Sequence, residues 1–253
     1  MQRYFIHLAY NGADYHGWQV QDNAPTVQES VNKALSTLLN TDINVIGCGR
    51  TDTGVHASDF YAHFDLDRYL AEKEKIDLVF KLNRFLPISI VVFDIVPVKI
   101  DANTRFDAIS RTYKYFLNLR KDPFFDEFSF FVYGNIDVDL MNQAALEMIK
   151  YTDFTSFSKL HTQTKTNNCK ITQSEWKVDG HKLVFTIKAD RFLRNMVRSI
   201  VGTLLDVGRK KITIEDFKQI IESKNRSEAG YSVPAKALFL EKVEYPEHIW
   251  IRD

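Results

Sequence analysis

The residues most able to do chemistry lie in one short stretch, GRTDTGVHA, at residues 49–57. Asp52 follows Arg50 by two positions, and a nearby arginine favours the ionised form of a carboxyl group. Flanking threonine hydroxyls could fix the orientation of this carboxylate, and the two glycines permit a sharp turn or the close approach of a ligand. An ionised, oriented carboxylate can act as a nucleophile, a base or a cation ligand. The alternative is a purely structural turn that is closed by Arg50.

Neighbouring side chains allow two further arrangements around Asp52. With His56 and Ser58 it would form a hydrolase triad, but the chain has no GxSxG motif and one loop rarely supplies all three members. A glycosidase would need a second carboxylate at a fixed distance, and Asp59 and Asp65 are available for that role. Because sequence does not give their separation from Asp52, both arrangements remain open.

A second candidate is the stretch ISRTYKYFLNL, which has the pattern of a strand. Its alternation places Arg111, Tyr113 and Tyr115 on one face. Single-stranded RNA is often held by such a face, since an aromatic ring stacks on a base and a cation meets phosphate. Packing of the same aromatic face into the protein core is the alternative interpretation.

A third candidate, RFLRNMVRSIVGTLLDVG at residues 191–208, has the periodicity of an amphipathic helix. Its apolar face would contain Leu193, Met196, Val197, Ile200, Val201 and Leu204. Arg191, Arg194 and Arg198 would line another face at i, i+3 and i+7. Three arginines suit carboxylate or phosphate binding, although a solvated helix face has the same pattern.

The elements that must position these residues follow from periodicity and end signals. Thr26 and Glu29 form a capping box for a helix up to about residue 38, and a second helix over 72–85 should stop before Pro87. Helices are also predicted near 138–150, 191–207 and 213–222. Strands are predicted over 3–10, 43–48, 59–66, 89–98, 111–119, 171–178, 182–189 and 237–244, so the 49–57 loop lies between two strands.

This order of elements predicts an α+β fold with mainly antiparallel sheets, because it lacks the strict βαβα rhythm of a parallel sheet. We expect two similar lobes that meet at a central cleft, with helices on the outer faces. The first lobe would cover residues 1–105 and carry the Asp52 loop. The second, residues 106–253, would complete the cleft.

Charge is balanced overall but unevenly distributed. The 253 residues contain 33 Lys and Arg against 33 Asp and Glu. Residues 159–211 hold twelve basic and four acidic residues, whereas residues 1–100 hold nine basic and twelve acidic ones. Such asymmetry suits a basic surface that faces a polyanion, although clustered charges on a solvated surface have the same signature.

Other classes of protein are disfavoured. Cys48 and Cys169 cannot form a disulfide framework, and neither lies at metal-ligand spacing from a histidine. The chain shows no Walker loop, dinucleotide-binding glycine motif, EF-hand or zinc ribbon, so we expect chemistry without a metal or an organic cofactor. No signal peptide or bilayer-spanning stretch is present, and we expect a cytoplasmic protein.

GRTDTGVHA closely resembles the signature of the TruA family, the tRNA pseudouridine synthases that modify the anticodon stem–loop. Three further stretches are similar to family motifs in the expected order: RFDAISRTYKYFL, RFLRNMVRSIVGTLLDVG and AGYSVPAKALFLEKVEYP. The opening YFIHLAYNGADYHGWQVQ and the following TVQESV also resemble the start of family members. The resemblance therefore spans nearly the whole chain.

The resemblance implies a role for five residues. Asp52 would be the catalytic aspartate, Tyr113 would stack against the target uracil, and Arg198 would pair with Asp52 across the cleft. Arg50 would bind the RNA backbone and hold the flipped nucleotide, while Leu238 would close the pocket. From the charge pattern, we add the hypothesis that Arg191 and Arg194 form part of the tRNA track.

The resemblance also implies the reaction and the assembly. Uridines at positions 38, 39 and 40 of tRNA would be isomerised to pseudouridine without metal or cofactor, by a homodimer in which one tRNA contacts both subunits. Asp52 would either attack C1′ of the ribose or remove a 2′ proton to give a glycal. The rival classes are an RNA-binding module without chemistry and a nucleoside or glycoside hydrolase.

Three positions depart from the family pattern. Ala237 stands where glycine is usual, directly before Leu238, and could crowd the edge of the pocket. Asp107 replaces a smaller polar residue, and Ser199 follows Arg198 where asparagine is common. None of the three is expected to contact Asp52 or Tyr113.

Overall fold

A computed structural model describes residues 1–159 and 166–251, and it combines α-helices with mainly antiparallel β-strands. This confirms the predicted mixture of elements. The chain divides into two compact units. The first contains Met1–Ile109 and the C-terminal segment from Leu240, and the second contains Ser110–Phe239.

The first unit is built around an antiparallel sheet. Its elements are β1 (Gln2–Tyr10), α1 (Val27–Leu39), β2 (Ile46–Gly47), β3 (His56–Leu66), α2 (Glu72–Phe85) and β4 (Ile90–Val98). Strand β1 lies between β3 and β4 and is antiparallel to both, while β2 pairs with β3. One face of β1 buries Tyr4, Ile6 and Leu8, and the opposite face buries Phe5 against Tyr245 and Trp250.

The second unit contains β5 (Ser110–Asn118), β6 (Phe130–Phe131), α3 (Val138–Glu147), β7 (Ile171–Asp179), β8 (Lys182–Ala189), α4 (Met196–Gly208) and α5 (Ile214–Ser223). Strand β8 lies between β5 and β7 and is antiparallel to both, and β6 is parallel to β5. The last strand, β9 (Leu238–Glu244), crosses the boundary between the units in sequence. Short 3-10 helices cover Asp126–Phe128, Met148–Lys150, Thr155–Phe157, Ala235–Ala237 and Glu247–Ile249.

Strand β2 is shorter than predicted. Pairing was expected over residues 43–48, but only Ile46–Gly47 pairs with β3. The reason is that helix α1 takes the preceding backbone groups: Ile43 N–H donates to Ser36 Oγ at 2.9 Å, and Val45 N–H donates to Asn32 Oδ1 at 2.9 Å. These amides are therefore satisfied by side chains rather than by a neighbouring strand.

Helix α4 begins five residues later than the predicted helix over 191–207. Its N-cap, Asn195, has a left-handed backbone with φ of 66°, which interrupts helical geometry before Met196. The interpretation of Arg191, Arg194 and Arg198 as one helical face is therefore wrong, because only Arg198 lies in α4. Residues 190–195 instead form the connection between β8 and α4. No helix in the described ranges is long and apolar enough to cross a lipid bilayer.

His63 of β3 is buried, with Nδ1 2.8 Å from Thr104 Oγ1. Burial, together with the positive charge of Arg3, lowers the pKa of His63 to about 4. In the unfolded chain the imidazole of His63 has its ordinary pKa of about 6.5, so it takes up a proton at a higher pH than in the folded protein. The contribution of neutral His63 to the free energy of unfolding is fully present above about pH 6.5 and is lost as the pH falls towards 4.

We therefore expect acid to destabilise the wild-type first unit more than that of a His63→Asn variant, which lacks this titration. Between pH 7.5 and pH 5 the extra loss should be about 2 kcal/mol. Hydrogen exchange of β3 amides at both pH values measures it. Asp65 does not interfere in this window, since the guanidinium of Arg3 holds the pKa of its carboxyl below 3.8. An equal pH response in both proteins would contradict the assignment.

Candidate active site

The loop around Asp52 is held by the segment that follows β1. Trp18 N–H donates to the carbonyl of Thr51 at 3.3 Å, and Gly54 N–H donates to the carbonyl of Tyr15 at 3.2 Å. The hydroxyls of Tyr10 and Thr51 are 2.9 Å apart. The backbone is thus fixed on both sides of Asp52 by groups other than its carboxylate.

This contact between two loops requires glycine at position 17. Gly17 has φ of 92°, and a Cβ there would lie 2.4 Å from the carbonyl oxygen of Thr51. In the motif itself, Gly54 also has positive φ, at 75°. A Cβ on Gly49 would meet no described atom within 4 Å, so this end of the loop faces open space. Gly17 therefore allows the close contact with Thr51, and the Gly49 end of the loop is open to a ligand.

Asp52 is half-buried, and its carbonyl accepts a hydrogen bond from Val55 N–H at 3.1 Å, which closes a tight turn. Arg50 is exposed. Among the described residues, its guanidinium makes no hydrogen bond or ion pair, so the turn is closed by backbone and not by Arg50. The loop lies between β2 and β3, as predicted.

The hydrolase triad is not assembled. Ser58 Oγ donates to the carbonyl of Leu240 at 3.3 Å and contacts Glu241 Oε2 at 3.0 Å, and it does not bond to His56. His56 is buried, and its Nδ1 accepts from Gly12 N–H at 3.1 Å. Both side chains therefore hold strand β3 in place.

The two carboxylates considered for a glycosidase also stabilise the fold. Asp59 contacts His7 Nε2 at 2.7 Å and accepts from Val243 N–H at 2.6 Å. Asp65 binds the guanidinium of Arg3 at 2.7 and 2.8 Å, which lowers the pKa of the Asp65 carboxyl. A glycosidase general acid needs a raised pKa, so Asp65 is shifted in the wrong direction for that role.

In the second unit, β5 positions Tyr113. Tyr113 lies opposite Ile187 of β8, and Tyr115 lies opposite Phe185, which confirms that the two tyrosines share a face. Tyr115 is fully buried, its hydroxyl donates to the carbonyl of Pro234 at 2.8 Å, and burial raises its pKa. Tyr113 is only half-buried. The core interpretation thus holds for Tyr115, whereas Tyr113 keeps an accessible ring.

Arg198 lies in the first turn of α4 and is half-buried. Its Nε donates to the carbonyl of Val233 at 2.7 Å, and Val233 N–H donates back to the carbonyl of Arg198 at 3.3 Å. Its positive charge is close enough to Tyr115 to act against the rise in that pKa. The orientation of the guanidinium is therefore set by the segment around Val233.

That segment, residues 229–234, is called the strap below, and it is attached to α4. A Cβ on Gly202 would lie 1.9 Å from the carbonyl oxygen of Tyr231, so the strap backbone touches the helix directly. Gly230 N–H donates to Thr203 Oγ1 at 2.9 Å, and Asn195 Nδ2 donates to Ser232 Oγ at 2.6 Å. The strap thereby spans α4 from its N-cap to its first two turns.

Leu238, Arg191 and Arg194 occupy different settings. Leu238 begins β9 and is 5% exposed. Arg191 is half-buried in the 190–195 connection, where its N–H donates to Asp190 Oδ1 at 2.7 Å. Arg194 is exposed, and its carbonyl accepts from Lys159 N–H at 3.1 Å. Residues 160–165 of the basic segment lie outside the described residues.

The structure shows the surroundings of the three residues that depart from the family pattern. Asp107 accepts from Asn103 N–H at 2.7 Å and closes a turn. Ala237, in the second unit, is fully buried. Ser199 is also buried, and its Oγ has no hydrogen-bond partner among the described residues; nothing in the structure explains it.

One neighbour of the candidate site escaped the sequence analysis. Phe192 packs its ring against Tyr113 at a centroid distance of 5.1 Å. The predicted helix over 191–207 hid this contact, because it placed Phe192 in the first turn of that helix. In the structure Phe192 lies in the 190–195 connection and packs on Tyr113 of β5. The only signal in the sequence was the residue type of Asn195, since Asn tolerates a left-handed backbone and is favoured at helix N-caps. Within the described ranges, no group of three or more His, Cys, Asp or Glu side chains could hold a metal ion.

Comparison with known proteins identifies the family. The sequence profile described as tRNA pseudouridine synthase matches residues 147–246. The tRNA pseudouridine synthase A of Bacteroides thetaiotaomicron is 55% identical over 99% of this chain and 93% of its own length. The Parabacteroides distasonis protein of that name is 53% identical over 99% and 98%, and the Clostridium acetobutylicum one is 42% identical over 97% and 100%.

The similarity to these relatives extends over nearly the full length of the chain, so it covers both units. Identity of this degree and extent is a property of one family, and the chain belongs to the tRNA pseudouridine synthases.

Proposed function

We propose that the protein isomerises uridine to pseudouridine in tRNA, in the cytoplasm and without a cofactor, with Asp52 as the catalytic carboxylate. The proposal depends on two observations together: the chain belongs to the tRNA pseudouridine synthases, and Asp52 lies where a substrate can reach it. Asp52 is half-buried on a loop whose backbone is fixed by neighbouring residues and whose Gly49 end faces open space. Such a loop holds a carboxylate ready for a substrate that approaches from one side.

The reaction requires no net oxidation or hydrolysis. The bond between N1 of uracil and C1′ of ribose breaks, the base turns, and C5 joins C1′. The hydrogen on C5 leaves as a proton, and N1 gains one. Asp52 would start the reaction either by attack on C1′ or by removal of a 2′ proton. Both routes need an ionised carboxylate next to the ribose.

Tyr113 would bind the base. A uridine inside a helical stem must leave its stack to be reached, at a cost of a few kcal/mol. Stacking on an aromatic ring is worth about 1–3 kcal/mol per base and offsets part of this cost. The half-buried ring of Tyr113 suits this role, whereas the fully buried Tyr115 does not.

The remaining site residues would surround the flipped nucleotide in a cleft between the lobes expected at residues 1–105 and 106–253. Arg198 would pair with Asp52, and its Nε bond to Val233 supports a preset orientation of the guanidinium. Arg50 would contact the RNA backbone, and Leu238 would close the pocket. The substrate would be uridine 38, 39 or 40 of the anticodon stem–loop, bound by a homodimer in which one tRNA contacts both subunits.

The proposal is tested by tritium release from a tRNA transcript that carries uridine labelled at C5, with purified protein and no added cofactor. C5 loses its hydrogen only when it becomes the new glycosidic carbon. We expect release in proportion to pseudouridine formed. Tight tRNA binding without release, across several tRNAs, would instead support an RNA-binding module.

Arg191 and Arg194 are proposed to contact tRNA phosphates. Changing both to alanine should weaken tRNA binding, because each neutralised phosphate adds to the entropy of counterion release. The plot of log binding constant against log salt concentration should become shallower by about one to two units. Filter binding at four salt concentrations measures this slope.

The matched control changes Lys73 and Lys81 to alanine, since both are exposed cations on α2. It removes the same net charge from the protein without touching the 190–195 connection. An unchanged slope in the arginine variant, or an equal change in the lysine variant, would count against a specific tRNA track.

A further inference from the structure

The ring of Tyr113 packs against the ring of Phe192, which lies in the same unit. The ring centroids of Tyr113 and Phe192 are 5.1 Å apart, and the ring planes are inclined at 85°. This edge-to-face arrangement is one of the two favourable geometries for aromatic pairs. Both rings are half-buried, so the pair lies at the margin of the core.

The backbone around Phe192 is fixed on both sides. Before it, Asp190 Oδ1 accepts from the N–H groups of Lys170 and Arg191, each at 2.7 Å, and Arg111 Nη1 donates to the carbonyl of Asp190 at 2.8 Å. After it, the buried Leu193 accepts from Met196 N–H at 3.1 Å. Phe192 is therefore a rigid support rather than part of a loose connection.

A rigid neighbour matters because a half-buried tyrosine ring can otherwise rotate about its side-chain bonds. A perpendicular ring restricts this rotation and fixes the plane of Tyr113 before a ligand arrives. Fixing the plane of the ring in advance improves the alignment of the base with the reacting groups, which raises the rate of the chemical step.

We infer that Phe192 is a positioning residue that sets the plane of the Tyr113 ring for stacking on the uracil. This inference rests on the proposed function, because it requires that Tyr113 touches the base. Phe192 acts through Tyr113 and makes no contact with the reacting atoms in this scheme.

The first test is single-turnover tritium release by Phe192→Leu, which keeps apolar bulk but removes the ring. We expect the rate to fall about three- to tenfold, the size of one lost aromatic contact, with an unchanged dissociation constant for tRNA. Phe192→Tyr retains the ring and should stay within about twofold of wild type, as one substituent does not remove the edge-to-face contact. If Phe192→Leu acted only through a general loss of packing, Phe192→Tyr would not be expected to restore the rate.

Phe131→Leu is the matched control. It also removes a half-buried phenyl ring from the second unit, one that packs on Tyr133 with centroids 6.3 Å apart. Its melting temperature shows what the loss of such a ring does to stability, and its rate of tritium release should equal that of wild type.

The second test combines Phe192→Leu with Tyr113→Leu. If Phe192 acts through Tyr113, its substitution should cause no further loss of rate once the tyrosine ring is absent. A purely structural role predicts the same loss in both backgrounds.

The outcomes separate the two proposals. If wild type forms no pseudouridine, the proposed function and the positioning role fall together. If wild type is active and Phe192→Leu matches it, or if its loss persists without the Tyr113 ring, only the positioning role is overturned.

Discussion

Asp52→Ala is expected to abolish tritium release while tRNA binding stays within a few-fold of wild type. Loss of a group that reacts directly with substrate typically costs about 10⁴-fold or more in rate. Binding should survive because most affinity for RNA comes from phosphate contacts elsewhere on the surface. Single-turnover release and filter binding, measured on the same preparation, give both quantities.

The fold should survive this change. The backbone beside Asp52 is held by Trp18, Tyr15 and Tyr10 through Thr51 and Gly54, and none of these bonds uses the Asp52 carboxylate. The matched control is Asp14→Ala, an exposed aspartate of the segment that packs against the loop. The control should keep wild-type activity. Substantial turnover by Asp52→Ala would remove Asp52 from the mechanism.

Gly202→Ala is expected to lower the stability of the protein strongly. Its Cβ would lie 1.9 Å from the carbonyl oxygen of Tyr231, so the strap must leave the helix or the helix must shift. Overpacking of this kind typically costs about 1–3 kcal/mol and occasionally more, and contact with rigid backbone places this site at the upper end. Activity should fall as well, because Val233 of the strap holds Arg198.

Gly208→Ala provides the matched control within the same helix. Its Cβ would approach the side chains of Met141 and Ile136 at 2.6–2.8 Å, and these flexible groups can move. Both changes add one methyl group to α4, so a much larger fall in the melting temperature of Gly202→Ala would reflect its contact with the rigid backbone. Equal melting temperatures for the two variants would show that the strap is not tightly packed on α4.

Local sequence signals predicted several elements well. Helix α2 ends at Phe85 as expected, because Leu86 before Pro87 adopts an extended backbone with ψ of 151°. Helix α1 begins after Thr26, whose side chain accepts from Glu29 N–H. In both cases the decisive interactions involve residues close in sequence, and these are the interactions that a pattern can reveal.

Predictions failed where distant residues decide the structure. The amides of Ile43 and Val45 are taken by side chains of α1, which shortens β2. Asn195 adopts a left-handed conformation while Ser232, 37 residues later, accepts its side-chain N–H, and this delays the start of α4. The same delay turns Phe192 towards Tyr113. Periodicity alone carries no information about such partners.

For the candidate site, sequence located the Asp52 loop and the face of β5, since both depend on strand alternation. It did not reveal the anchor of Arg198. Arg198 donates to the backbone carbonyl of Val233, and because every residue has a backbone carbonyl, the residue type does not indicate such a contact. The roles taken from family resemblance remain predictions, and Asp52→Ala tests the central one directly.

The discontinuous first unit has a consequence for synthesis of the protein. Asp59 accepts a hydrogen bond from Val243 N–H, and the core around Phe5 includes Ile249, so segments far apart in sequence complete the first unit. At the usual rates of protein synthesis the ribosome needs roughly 10–30 s to add the 130-residue second unit and strand β9. During that time the nascent first unit lacks its final strand. The segment that completes the first unit is therefore made only after the whole second unit has been synthesised.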